Sequence, residues 1–221
     1  MAPNLNELNI NGRPVSWPRL ATLPPPPTWK GFKFDEDALL KERKNERGRI
    51  SKMTLQCLTS AQIVLLTGHL DLFKLRELSI LSPYKESSTH TATWLQSLTL
   101  AKLESLRNLE LGVNCQDPDE RYHQVVDSFF ENLRPRLVDL KISGPFRSES
   151  IRDILRRHGC SLHTFELRCR QGLGLENIQQ IQQHCHVLEV LCVPIRRRKG
   201  DAEEVKIYQT LVHYQTFGDS T

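Results

Sequence analysis

The sequence predicts an α/β solenoid: a curved sheet of parallel strands with helices or irregular return segments on its convex side. Three observations predict it. A six-residue template with large apolar residues at its first, fourth and sixth positions recurs eight times in 221 residues; the recurrences lie 21 to 31 residues apart; and several of the intervals carry helix signals. The units are LNELNI from Leu5, WKGFKF from Trp29, ISKMTL from Ile50, LRELSI from Leu75, LRNLEL from Leu106, LVDLKI from Leu137, LHTFEL from Leu162 and LEVLCV from Leu188, at successive gaps of 24, 21, 25, 31, 31, 25 and 26.

In LRELSI, LRNLEL and LVDLKI apolar and polar residues alternate with a period of two, as in a strand buried on one face, and turn residues such as Pro83, Gly112 and Gly144 bound them. A set of ordinary amphipathic helices is the rival reading of the leucines and does not account for that alternation; an irregular α/β domain is the other. Strands are expected near residues 6–10, 31–35, 52–55, 77–80, 108–111, 139–142, 164–167 and 190–193. The intervals supply the return path. SESIRDILRRHG sets Ile151, Ile154 and Leu155 on one helical face behind a Ser150/Asp153 capping pattern and stops at Gly159. LENIQQIQQHC does the same with Leu175, Ile178, Ile181 and Cys185, and RYHQVVDSFFENL offers Val125, Phe129 and Leu133 within one of the two long gaps. LATLPPPPTWK cannot be helical through four prolines and should be extended.

The chain is expected to divide into an array of about eight irregular units over 1–200 and a capping segment over 201–221. In that segment DAEEVKIYQTLVHY places Val205, Tyr208, Leu211 and Val212 on one helical face. No comparable helix precedes Leu5. The chain therefore reads as a truncated fragment of a longer receptor, or as one whose first sheet edge another subunit covers.

LRELSI, LRNLELGVN and LVDLKISG, together with GCSLHTFEL and HCHVLEVL, in which a cysteine stands two or three residues ahead of the repeat leucine, resemble the cysteine-containing leucine-rich repeats of F-box proteins. The resemblance spans residues 5–193. It implies a leucine-rich-repeat solenoid acting as the substrate-recognition arm of a ubiquitin ligase, with a separate F-box motif to dock the ligase adaptor. Since the first unit begins at Leu5, an adaptor is expected as a partner only where an F-box lies upstream. The ninth position, which bonds neighbouring turns in such repeats, is Asn114 in one unit but Arg13, Asp37, Leu58, Pro83, Pro145, Arg170 and Arg196 in the others, so stacking is expected to rest on apolar packing.

With 38% apolar and 25% charged residues the chain reads as a folded, soluble protein, and its longest apolar runs fall far short of the roughly 20 residues of a membrane span. MAPNLNELNI has neither the basic nor the apolar region of a signal peptide, so an intracellular place, cytoplasmic or nuclear, is expected, with the six cysteines reduced. The net charge of +4 is not gathered on one half: residues 1–110 carry 15 basic and 11 acidic side chains and the remainder 15 of each, which argues against a nucleic-acid partner.

Three local clusters admit a functional and a structural reading. His184, Cys185, His186 and Cys192 are metal-ligand types, but their spacing matches no zinc template and Cys185 stands where the repeat wants a small buried side chain; no metal and no cofactor is expected. Arg196, Arg197, Arg198 and Lys199 read as an import signal or anion patch, or as a solvated loop partly neutralised by the DAEE that follows. Pro24 to Pro27 read as a ligand for a proline-recognition domain or as scaffold. No nucleophile elbow, phosphate loop or paired metal-binding His motif is present, and QGLGLEN lacks the third glycine of a dinucleotide site; an enzyme is not expected.

If the first, fourth and sixth positions point inward, the third, fifth and seventh line the concave face. That face is polar and mixed in sign. Its expected partner-binding residues are Lys52, Thr54, Glu77, Ser79, Asn108, Glu110, Asp139, Lys141, Thr164, Glu166 and Arg168. The function that follows is a scaffold binding a partner protein on this face and on rim loops. The alternative is an enzyme or enzyme-inhibitor role carried by the irregular loops.

Overall fold

The structure is a computed structural model and describes residues 6–11, 50–56, 58–70, 72–81, 86–133, 137–170, 172–196 and 202–215. Its centre is one sheet of seven parallel strands whose spatial order follows chain order. These are β1 (Glu7–Asn11), β2 (Lys52–Gln56), β3 (Glu77–Leu81), β5 (Asn108–Gly112), β7 (Asp139–Ser143), β8 (Thr164–Arg168) and β9 (Val190–Cys192). Two short strands, β4 (Glu86–Ser87) and β6 (Cys115–Gln116), pair with each other in a second parallel sheet. Helices α1 (Ser60–His69), α2 (Ser88–Leu100), α3 (Glu120–Asn132), α4 (Ser148–His158) and α5 (Leu175–His184) each return the chain to the next strand. The last helix, α6 (Ala202–Gln215), lies against α5. No helix among the described residues is long and apolar enough to cross a membrane.

Every expected strand among the described residues forms, and all pair in parallel with no slip, because each unit enters its strand at the same template position. The second template position shows how the register is held. Its backbone N–H donates to the carbonyl of the same position one unit earlier: Ser51 to Asn6, Arg76 to Ser51, Arg107 to Arg76, Val138 to Arg107, His163 to Val138 and Glu189 to His163, at 2.7–2.9 Å. The expected strand at 31–35 lies outside the described residues. Among the described residues Glu7–Asn11 of β1 pairs directly with Lys52–Gln56 of β2. Likewise the LATLPPPPTWK segment lies outside the described residues.

The inward positions make the core. In the five units from Ile50 to Leu167 every first, fourth and sixth residue is at most 2% exposed, including Met53, Leu78, Leu109, Leu140 and Phe165. Each such side chain contributes about 1.5–3 kcal/mol of burial, which makes apolar stacking the main stabilising term in the array. The end units are less covered: Leu8, Ile10, Leu188, Leu191 and Val193 are only half-buried.

Gap length is set by the return path. The two gaps of 31 hold 13-residue helices, α2 and α3, each preceded by a two-residue strand, whereas the gaps of 25, 25 and 26 hold helices of 10, 11 and 10 residues. Helix starts follow local capping chemistry. Thr59 and Gln62 form a reciprocal capping box at α1, Ser87 accepts from the His90 N–H at α2, and Asp119 accepts from the Tyr122 N–H at 2.9 Å at α3.

Four local expectations are corrected. Ser150 does not cap α4; the cap residue is Arg147, with no side-chain cap bond, and Ser150 is buried within the first turn because it falls on the face that Ile151, Ile154 and Leu155 turn to the sheet. Gly112 is the last residue of β5 rather than a turn, and a Cβ there would stand 2.9 Å from Leu81 Cδ2. On α3 the most buried apolar residues are Tyr122, Val126, Phe129 and Phe130, with Val125 only half-buried. Among the described side chains of α6 the buried one is Ile207 at 1%, helped by Leu211, while Val205 and Tyr208 are 56% and 41% exposed and Val212 lies outside the described side chains.

Gly144 closes β7 at φ +142°, and a Cβ there would meet the Val113 carbonyl at 2.6 Å. Gly144→Ala is therefore expected to destabilise by about 1–3 kcal/mol through strain and overlap. A shift of the urea midpoint checks it.

Candidate functional site

The sheet turns its third, fifth and seventh template positions away from the helices, and exact register lines them up in rows. One row runs Glu7, Lys52, Glu77, Asn108, Asp139, Thr164, Val190, and the next runs Asn9, Thr54, Ser79, Glu110, Lys141, Glu166, Cys192. The third holds Asn11, Gln56, Leu81, Gly112, Ser143 and Arg168. All eleven residues expected to bind a partner stand in these rows, half-buried or exposed.

Polar neighbours along a row bond to one another. Lys52 Nζ lies 3.6 Å from a Glu7 carboxylate oxygen and 3.7 Å from one of Glu77, bridging three strands. Ser79 Oγ donates to Glu110 Oε2 at 2.6 Å. With its nitrogen turned towards β7, the Asn108 amide donates to Asp139 Oδ2 at 3.3 Å and to the Arg107 carbonyl at 3.2 Å. Within β8, Arg168 pairs with Glu166, whose side chain is the more buried of the two. Such half-exposed pairs are each worth less than about 1 kcal/mol, so they order the surface without competing with the core.

These rows border a hollow of about 520 Å³. It is lined by Lys52, Thr54, Gln56, Glu77, Ser79, Asn108, Glu110, Asp139, Lys141 and Thr164, over the strand backbone at Met53, Leu78 and Leu109. Nine of the eleven expected residues thus come together around one depression. Glu166 and Arg168 stand beyond it on β8. Gln56 joins the lining; it occupies the seventh position of its unit, in phase with Lys52 and Thr54.

The groups with displaced titration lie on the helix side. Burial pushes the Tyr122 hydroxyl well above its ordinary range, and its oxygen has no hydrogen-bond partner among the described residues. Burial also pushes the Cys185 thiol up to about 12, with Cys160 adding to it; this suits a packed, inert thiol rather than a metal ligand. Cys192, by contrast, is exposed on the sheet face. Among the described residues no three His, Cys, Asp or Glu side chains gather so as to hold a metal ion.

His123 on α3 is 6% exposed, and burial lowers its pKa below the ordinary imidazole value, with Arg147 lowering it further against the opposing pull of Glu120, Asp127 and Asp119. The unfolded chain therefore takes up the His123 proton first. This contribution to stability is present above about pH 6.5 and is lost as pH falls towards the lower folded value. Asp119 and Glu120, held low by the Tyr122 N–H and by Arg147 respectively, lose their contributions only at more acid pH. Urea midpoints between pH 7 and pH 5 should fall more steeply for the native chain than for His123→Gln.

Comparison with protein-family models, with curated proteins and with solved structures gives no significant match.

Proposed function

We propose that this chain is a leucine-rich-repeat solenoid that binds a partner protein on its uncovered sheet face and adjoining rim loops. The observation that carries this reading is the hollow of about 520 Å³, in which ten polar residues from five adjacent strands converge. Seven strands at about 4.8 Å spacing and five residues of strand span roughly 34 by 16 Å, on the order of 540 Å². A standard interface takes about 800 Å² from each partner, which leaves the rim loops to supply the rest. A broad, uncovered sheet suits a protein surface better than a small molecule, which binds where walls enclose most of it.

This reading gives the chain no reaction of its own and an intracellular place. The substrate-recognition arm of a ubiquitin ligase is the specific role the resemblance to F-box repeats suggests, with the ligase adaptor reached through an F-box elsewhere. Co-purification from cells tests both levels. The native chain should retain a partner that Thr54→Trp/Ser79→Trp loses and Arg152→Trp, on the exposed side of α4, keeps. A ligase adaptor among the retained proteins supports the ligase role. Equal retention by all three chains would count against the face as the binding surface.

A further inference from the structure

We propose that the partner presents a lysine- or arginine-bearing extended segment to the centre of the sheet face; this rests on the reading of that face as the binding surface. The charge on the face points to it. Its rows carry five carboxylates, Glu7, Glu77, Glu110, Asp139 and Glu166, against three cations, Lys52, Lys141 and Arg168, on a chain whose net charge is +4. The face of the sheet that no described element covers is thus acidic on a basic body.

Half of that excess lies at the hollow, where Glu77, Glu110 and Asp139 stand against Lys52 and Lys141. Glu77 and Asp139 flank Asn108 in one row, and Glu110 stands two residues further along the same strand as Asn108. At about 4.8 Å between strands and about 6.8 Å per two residues, the three backbone positions lie within roughly 10 Å of one another. A single cationic side chain entering over Asn108 would face all three carboxylates. The resident cations do not fill that role. Lys52 is already shared by Glu7 and Glu77, Arg168 pairs with Glu166 outside the hollow, and Lys141 is exposed and makes no ion pair among the described residues. Glu110 and Asp139 receive hydrogen bonds from the neutral donors Ser79 and Asn108. These bonds aim both carboxylates, and Lys141, the register neighbour of Glu110, forms no ion pair with it among the described residues, which leaves charge available to a partner. An extended segment suits the trough because its alternate side chains point to one side, at the same two-residue repeat as the rows.

The test uses the full chain and a fluorescein-labelled octapeptide with Arg or Lys at alternate positions and Ala between, with a Glu-for-Arg/Lys counterpart as reference. Saturable one-to-one binding of the basic peptide is expected. E77Q/E110Q/D139N should weaken it roughly tenfold, at about 0.5 kcal/mol per exposed pair, with an unchanged thermal midpoint. E131Q/D153N/E176Q, the same charge change on α3, α4 and α5, should leave it unaltered. Equal weakening by both triple variants, equal affinity for the acidic peptide, or no binding up to millimolar peptide would overturn the inference. If Thr54→Trp/Ser79→Trp abolishes retention of a cellular partner that E77Q/E110Q/D139N still retains in full, the face binds its partner but not through a basic segment, and only this inference falls.

Discussion

Leu109→Ala is expected to lower stability by about 2–5 kcal/mol, while Glu110→Ala, one residue away, costs less than about 1 kcal/mol. Leu109 is 1% exposed and packs into the core between Leu78 and Leu140, its register partners, so truncation leaves a cavity that neighbouring strands cannot close. Glu110 lies on the opposite face and loses only a half-exposed hydrogen bond from Ser79. Urea denaturation of the two variants measures the difference directly. Equal midpoints would mean that β5 does not divide its faces as described.

The second large effect concerns the helical layer. Trp94 on α2 is 1% exposed, among the largest fully buried side chains, and its indole N–H has no hydrogen-bond partner among the described residues. Trp94→Ala should cost about 3–5 kcal/mol. Trp94→Phe should cost far less, under about 1.5 kcal/mol, because it keeps most of the ring volume and removes a buried donor that receives nothing in return. A Phe variant as damaged as the Ala variant, judged by thermal and urea midpoints, would show that the N–H is satisfied and that polar bonding, not volume, fixes α2 on the sheet.

Strands were legible in the sequence because one template position states both depth and phase: Leu75, Leu78 and Ile80 point inward, and Glu77 and Ser79 are thereby forced outward. The candidate face followed from the same arithmetic, which is why its residues converge although they are separated by 25 to 31 positions along the chain. Helix phase was less legible. In α1 the apolar residues Ile63 to Leu66 run consecutively, so no stripe identifies a face or even a helix. In α6 an apolar stripe exists, Val205, Tyr208 and Leu211, yet only Leu211 of it packs against the core, and Ile207, off the stripe, is buried at 1%. WKGFKF fits the template as well as LNELNI does. Pairing between β1 and β2 depends on contacts across 45 residues, which no local pattern encodes. The hollow itself was not legible, since depth in a sheet face arises from its curvature and side-chain lengths together.

The central claim, that the uncovered sheet face is the partner-binding surface, is tested most directly by site-specific photo-cross-linking in cells. A benzophenone side chain placed at Thr54 or Lys141, on the border of the hollow, should form an adduct with a partner protein, while the same group at Arg152 on α4 or Gln179 on α5, both exposed on the helix side, should form none. Adducts from the helix positions, with none from Thr54 or Lys141, would contradict it.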